Sequence, residues 1–165
     1  MRRSDREVTG LRNILAILDA CEILHIGLCL DDKPYIVPMN FAFEQIGEEV
    51  RIYLHSASEG KKLDIIAKNN NVCFEADCAY TILPADEACD WSAEFQSVVG
   101  EGIITIITDE ARKTYALDVF MQRYGFQGKP QYSPQQLSAV TVLQITVRSM
   151  TGKQKFPPKK THVPP

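Results

Sequence analysis

Residues 35–43 place apolar side chains at every second position: Tyr35, Val37, Met39, Phe41 and Phe43. Successive side chains of a strand point to opposite faces, so this spacing predicts a strand with one buried face. Pro38 has no N–H to give to a ladder, which predicts an edge or a bulge at that point. Residues 23–30 (ILHIGLCL) read as a buried strand, and residues 31–33 (DDK) as a turn. QIGEE, residues 45–49, closes a hairpin into a strand over 50–55. Further strands are predicted over 71–78, 93–99, 103–108 and 139–147. Gly100 and Gly102 between two of them predict a bulge or a close backbone approach.

The 3.6-residue period appears in three places. Leu11, Ile14, Leu15 and Leu18 form one face of a helix over 11–20, with Thr9 as its cap. A helix over 63–69 follows Ser58, a candidate N-cap. A third, over 109–124, starts after Thr108 with acidic residues and carries Leu117, Phe120, Met121 and Tyr124 on one face. Residues 85–90 and the Gly/Pro/Gln-rich stretch 125–136 read as loops. Many short strands with a few helices predict a mainly β fold, a β-barrel with helical additions. The chain divides into one domain over 1–155 and a Pro/Lys-rich tail over 156–165.

With 165 residues, one domain with a real core is expected. A net charge of −3 excludes a general nucleic-acid binder, which needs a basic face. No apolar run reaches the roughly 20 residues of a membrane span, and the charged N-terminus has no apolar signal region, so a cytoplasmic location is expected. Cys21, Cys29, Cys73, Cys78 and Cys89 are odd in number and form no CxxC pair. They predict small buried hydrophobes rather than a disulfide framework or a zinc site. His25 lies in an apolar strand and reads as a core residue, and His162 lies in the tail. No pair of histidines has ligand spacing, so no metal is placed.

The stretch HSASEGKK, residues 55–62, joins a strand to a helix. The start of a helix presents unpaired N–H groups and the positive end of the dipole, which together favour an anion. Lys61 and Lys62 add two positive charges, Ser56 and Ser58 add hydroxyl donors, and Gly60 permits close approach. These residues suit a phosphate, although neither a Walker loop nor a GxGxxG loop is present. His55 falls on the less apolar face of its strand and is the only candidate catalytic side chain. Strand 37–41, with Asn40 and the free backbone beside Pro38, can flank a flat aromatic ligand. Ser97 and Val98, in FQSVVGEG, form a third and weaker element.

PYIVPMNF, YLHSASEGKK and SVVGEG in this order, with REVTG near the start and TGKQK at 151–155, resemble the flavin-binding split-barrel proteins related to pyridoxamine 5′-phosphate oxidase. The similarity is greatest to the 5-nitroimidazole resistance branch and covers nearly the whole chain. The resemblance implies a six-stranded split barrel, a homodimer, and FMN at the subunit interface. His55, Ser56, Lys61 and Lys62 would match the phosphate-binding positions of oxidase-like relatives. Val37, Pro38, Met39, Asn40 and Phe41 would flank the isoalloxazine ring, and Ser97 would stand where relatives often place a glutamine. The C-terminal Trp and Arg-x-x-x-Pro region of true pyridoxamine phosphate oxidases is missing, so vitamin B6 oxidation is not expected. The implied activity is a flavin-dependent oxidoreductase that takes hydride from a nicotinamide nucleotide and reduces a small acceptor such as a 5-nitroimidazole. FAD in place of FMN, a haem protein with His55 on the iron, and a non-enzymatic flavin binder are the alternatives.

Overall fold

A computed structural model describes residues 3–156. Asp31 and Asp32 both adopt left-handed backbone (φ 50° and 57°), which short polar side chains tolerate, and they reverse β2 (Leu24–Leu30) into β3 (Lys33–Met39). Asn40 alone separates β3 from β4 (Phe41–Ile46), and a turn at Gly47 leads into β5 (Glu49–Ser56). Two long strands follow, β6 (Asn71–Leu83) and β7 (Ser92–Ile107), and β8 (Thr141–Lys155) ends the sheet. The short β1 (Glu7–Val8) pairs with the far end of β8. The strand order is β3-β2-β6-β7-β8-β5-β4, antiparallel throughout. Four helices accompany it: α1 (Leu11–Ala20), α2 (Lys61–Ile66), α3 (Glu110–Arg123) and α4 (Pro134–Ala139).

This order corrects the expected six-stranded split barrel. The sheet has eight strands and follows an open path ending at β3 and β4, so it is not closed into a barrel. The reason lies in the connection. A hairpin reversal takes about two loop residues, and Asn40 alone cannot fold β4 back onto β3. The two run on as successive segments of a bent ribbon, and the alternation of residues 35–43 continues through both.

The main core gathers inward side chains from β2 to β8 and the apolar face of α1, with Phe41, Phe74, Leu18 and Ile52 fully enclosed. A second cluster lies under α3, where Phe120 and Ala116 pack on Ala42, Tyr53 and Val142. Among the described residues no helix is long and apolar enough to cross a membrane.

Local signals differed from the structure in several places. Gly10, not Thr9, precedes α1, and Asp109 rather than Thr108 caps α3 by accepting from Arg112 N at 2.8 Å. The strands predicted over 93–99 and 103–108 are one strand, β7, because the Glu101/Gly102 bulge bends the ladder without ending it. Within the stretch read as a loop, Ser133 and Gln136 form a capping box that starts α4. Of the five cysteines only Cys21 is buried; Cys29, Cys73 and Cys89 are exposed, and all five are free thiols. His25 is not enclosed either, since it points outward from β2 beside Glu75. Residues 157–165, nearly all of the predicted tail and His162 with it, lie outside the described residues.

A Cβ on Gly100 would collide with the Phe74 ring and stand 2.7 Å from the Ser149 carbonyl oxygen. Gly100→Ala is expected to destabilise the fold by about 1–3 kcal/mol, read as a lower midpoint in urea denaturation.

Candidate functional site

The strand-to-helix junction differs from its predicted form in one useful respect. The helix begins at Lys61, and its N-cap is Gly60 rather than Ser58. Gly60 has φ 133°, a conformation that side chains rarely adopt, and open space where a Cβ would stand. Leu63 N and Asp64 N already bond the Gly60 carbonyl, at 2.8 and 3.3 Å. The N–H groups of Lys61 and Lys62 belong to the first turn, where a helix supplies no acceptor. Both lysines therefore bring a backbone donor as well as a charge. Ser58 is exposed in the loop before them, and Ser56 turns its hydroxyl to the Ala57 carbonyl at 2.7 Å.

Lys61 also ties this junction to β3. Its ammonium lies 4.4 Å from the Tyr35 ring centroid, a cation–π distance. Two of the predicted segments are thus neighbours. Val37 is half-buried, and Pro38 and Asn40 are exposed. Met39 and Phe41 point into the core, so a ligand here meets their backbone rather than their side chains.

A second link runs through α3. His55 is exposed, and Phe120 meets its ring edge-on with centroids 4.9 Å apart. Phe120 stacks on Tyr124 at 5.9 Å, and the Tyr124 hydroxyl accepts from Asn40 Nδ2 at 3.3 Å. His55 and Asn40, which the Phe41–Leu54 pair of the β4–β5 hairpin already brings to one end of the ladder, are also linked by two aromatic rings of one helix. The amphipathic period of residues 109–124 marks those rings as a packing face and carries no sign of what they pack against.

Ser97 and Val98 are not part of this grouping. Along β8, Ser56 pairs with Thr141 whereas Ser97 pairs with Lys153. That separation is about 40 Å of straight strand. Val98 is fully buried, and Ser97 sits beside Asp77 of β6. A hollow of about 440 Å³ on the outer face of β2, β3 and β6, bordered by Cys29, Pro34, Ile36 and Asn69, contains none of the predicted residues.

These features can be set beside known proteins. The sequence profile of the family described as pyridoxamine 5′-phosphate oxidase matches residues 11–154. The chain belongs to this family. A protein from Bacteroides thetaiotaomicron, provisionally named a 5-nitroimidazole antibiotic resistance protein, is 30% identical, with 90% of this chain and 86% of that one superposed at a TM-score of 0.77. A flavocytochrome from Azotobacter vinelandii (22% identity, 96% and 73% of the two chains, TM-score 0.80) shares the fold. So does an FAD- and haem-binding protein from Mycobacterium smegmatis (18% identity, 92% and 74%, TM-score 0.79). No curated protein sequence matches the chain significantly. The family relation that the three sequence segments implied is therefore shown, although its fold is built here on an open sheet.

Sequence reasoning missed a polar cluster beside α3. Glu44 accepts from the hydroxyls of both Tyr53 and Tyr115, each at 2.5 Å. Nearby, Arg112 Nη2 donates to Gln144, the one buried polar side chain among the described residues, at 3.2 Å. The alternation of β5 marks Tyr53 as outward-facing, and α3 then covers it. Burial, and then the Glu44 carboxylate, raise the Tyr53 phenol above its ordinary value of 10.0. A raised folded value means that stability is full below about pH 10 and falls as pH rises beyond it, because only the unfolded phenol ionises there. Urea denaturation between pH 8 and 11 is expected to show this loss, and Tyr53→Phe is expected to reduce it, the remainder coming from the likewise raised Cys21, Tyr115 and Tyr132.

Proposed function

We propose that the chain binds FMN and acts as a flavin-dependent oxidoreductase. Electrons pass from a nicotinamide nucleotide to a small acceptor, with nitroaromatic compounds such as 5-nitroimidazoles as the substrate class. The observation that carries this reading is the junction itself. Lys61 and Lys62, in the first turn of α2 behind an open glycine, fit a phosphate monoester, and Lys61 lies against the strand that would flank the ring. The printed name of the Bacteroides protein supports the choice of acceptor. A bound flavin would supply the chemistry, accepting hydride and passing electrons on.

The chain's own residues have narrower tasks. Lys61 and Lys62 neutralise the phosphate, and Ser56 and Ser58 supply hydroxyls at its rim. Val37, Pro38 and Asn40, with the backbone of Met39 and Phe41, border the ring. His55, steadied by Phe120, is the side chain placed to donate a hydrogen bond or a proton to cofactor or acceptor. A two-fold pair of chains with the flavin at their interface brings Ser97 and the Val98 backbone of one protomer toward the junction of the other. The separation of Ser97 from Ser56 along β8 supports that arrangement.

Absorbance spectroscopy of the purified protein, with FMN added and the excess removed by gel filtration, is expected to show retained flavin bands. Steady turnover with a nicotinamide nucleotide and a nitroaromatic acceptor is expected to follow. A Soret band that disappears in His55→Ala would replace the proposal with a haem protein. Changing Lys61 and Lys62 together to alanine is expected to weaken FMN at least tenfold more than riboflavin, which lacks the phosphate. Equal losses for both ligands, measured by fluorescence quenching, would remove the phosphate assignment.

A further inference from the structure

Sheet pairing gathers a second set of ligand-type side chains away from the junction. His25 in β2 is the cross-strand partner of Glu75 in β6. Asp77 lies two residues further along β6 and so on the same face as Glu75. Their donor atoms all lie within 4.8 Å of one another. His25 Nδ1 is 3.3 Å from Glu75 Oε2. That nitrogen is screened from solvent, yet its geometry is not that of a hydrogen bond with any group, so a buried polar atom is left unsatisfied. A hollow of about 370 Å³ opens beside the trio, bordered by Glu22, Cys78 and Ile23 as well as His25 and Asp77.

The arrangement is unfavourable without a positive partner. Two carboxylates on one strand face repel, and among the described residues the ion-pair partner of either is His25, beside Glu75, and then only when its imidazole is protonated. A cation would relieve the repulsion and take up the unsatisfied nitrogen. Bonds of about 2.0–2.2 Å to a common ion hold two donors at most about 4.4 Å apart, and only when they stand on opposite sides of it. Donors on a tetrahedral ion at that bond length stand about 3.4 Å apart, so closing the trio takes a side-chain shift of up to about 1.4 Å at the widest pair.

We propose that His25, Glu75 and Asp77 bind one divalent first-row metal ion of the zinc or manganese type, with water completing the shell. One imidazole and two carboxylates form a borderline-to-hard donor set that suits these ions. The site uses none of the residues assigned to flavin and stands whether or not flavin binds.

The test is calorimetric titration of the full-length, chelator-stripped protein with Zn²⁺ and, separately, Mn²⁺, alongside thermal melting. One equivalent per chain and a higher melting temperature are expected with at least one of the two ions. Affinity is expected to fall at least tenfold in His25→Ala and in Asp77→Asn, and to stay unchanged in Cys78→Ser and Lys61→Ala. Asp77→Asn keeps the side-chain shape at an exposed position, so it separates loss of a ligand from loss of fold, with circular dichroism as the check. Absence of saturable binding by both ions would overturn the proposal. So would undiminished affinity in Asp77→Asn, or binding lost only in Cys78→Ser.

Discussion

The ladder between β7 and β8 is the constraint on which the rest of the molecule depends. β8 pairs with β7 along nearly its whole length, while its other edge carries β5 at the start and β1 at the end. Two strands this long cannot run flat past a small core, and the ladder bends at the Glu101/Gly102 bulge. The bend is possible because two side chains are missing. Gly102 lies against the Thr146 carbonyl, and Gly100 against the Phe74 ring. A consequence reaches the candidate site: β8 carries the β5–α2 junction at one end and Ser97 at the other.

Arg123 sets the position of α3 on this frame. Its guanidinium lies 4.5 Å from the Phe41 ring centroid and donates to the carbonyls of Leu18, Asp19 and Cys21 at the end of α1. The last carbonyls of a helix have no acceptor role within it, and a cation is the favoured partner for them. One side chain thus closes α1, covers an aromatic ring of β4 and fixes the last turn of α3. Phe120 and Tyr124 sit in that turn and the next residue, which is how they come to meet His55 and Asn40. The geometry around His55 therefore depends on a cation that never approaches it.

Much of this was legible in the sequence where the signal is local. The alternation of residues 35–43, the glycine pair in SVVGEG and the apolar face of residues 11–20 each predicted an element that the structure contains. The junction was legible as a place, since β5 ends at Ser56 and α2 starts at Lys61, while its phosphate chemistry belongs to the proposed function. Helix starts were read less well, because Thr9, Ser58 and Thr108 were each displaced by a neighbour whose backbone or side chain made the better cap. The open sheet was not legible: the turns at 31–33 and 45–49 announce β2–β3 and β4–β5, but that β2 also pairs with β6 and β5 with β8 is a choice among distant partners that no local pattern states. The same limit hid the trio of His25, Glu75 and Asp77. His25 in an apolar strand reads as core until β6 is laid beside it and turns both toward solvent.

In the phosphate site proposed for the junction, the helix dipole would contribute little. A helix dipole grows with the number of aligned peptides, and α2 has only six residues. Selectivity in the proposed site would then rest on the lysine charges and the two first-turn N–H groups. Lys61 is already steadied by Tyr35, which lowers the entropy lost on gripping a ligand, whereas Lys62 has no such ring. The two adjacent lysines are therefore not equivalent. In the proposed site Lys61 would act as a pre-placed charge that couples the phosphate to the β3 wall, and Lys62 as a charge ordered by the ligand itself.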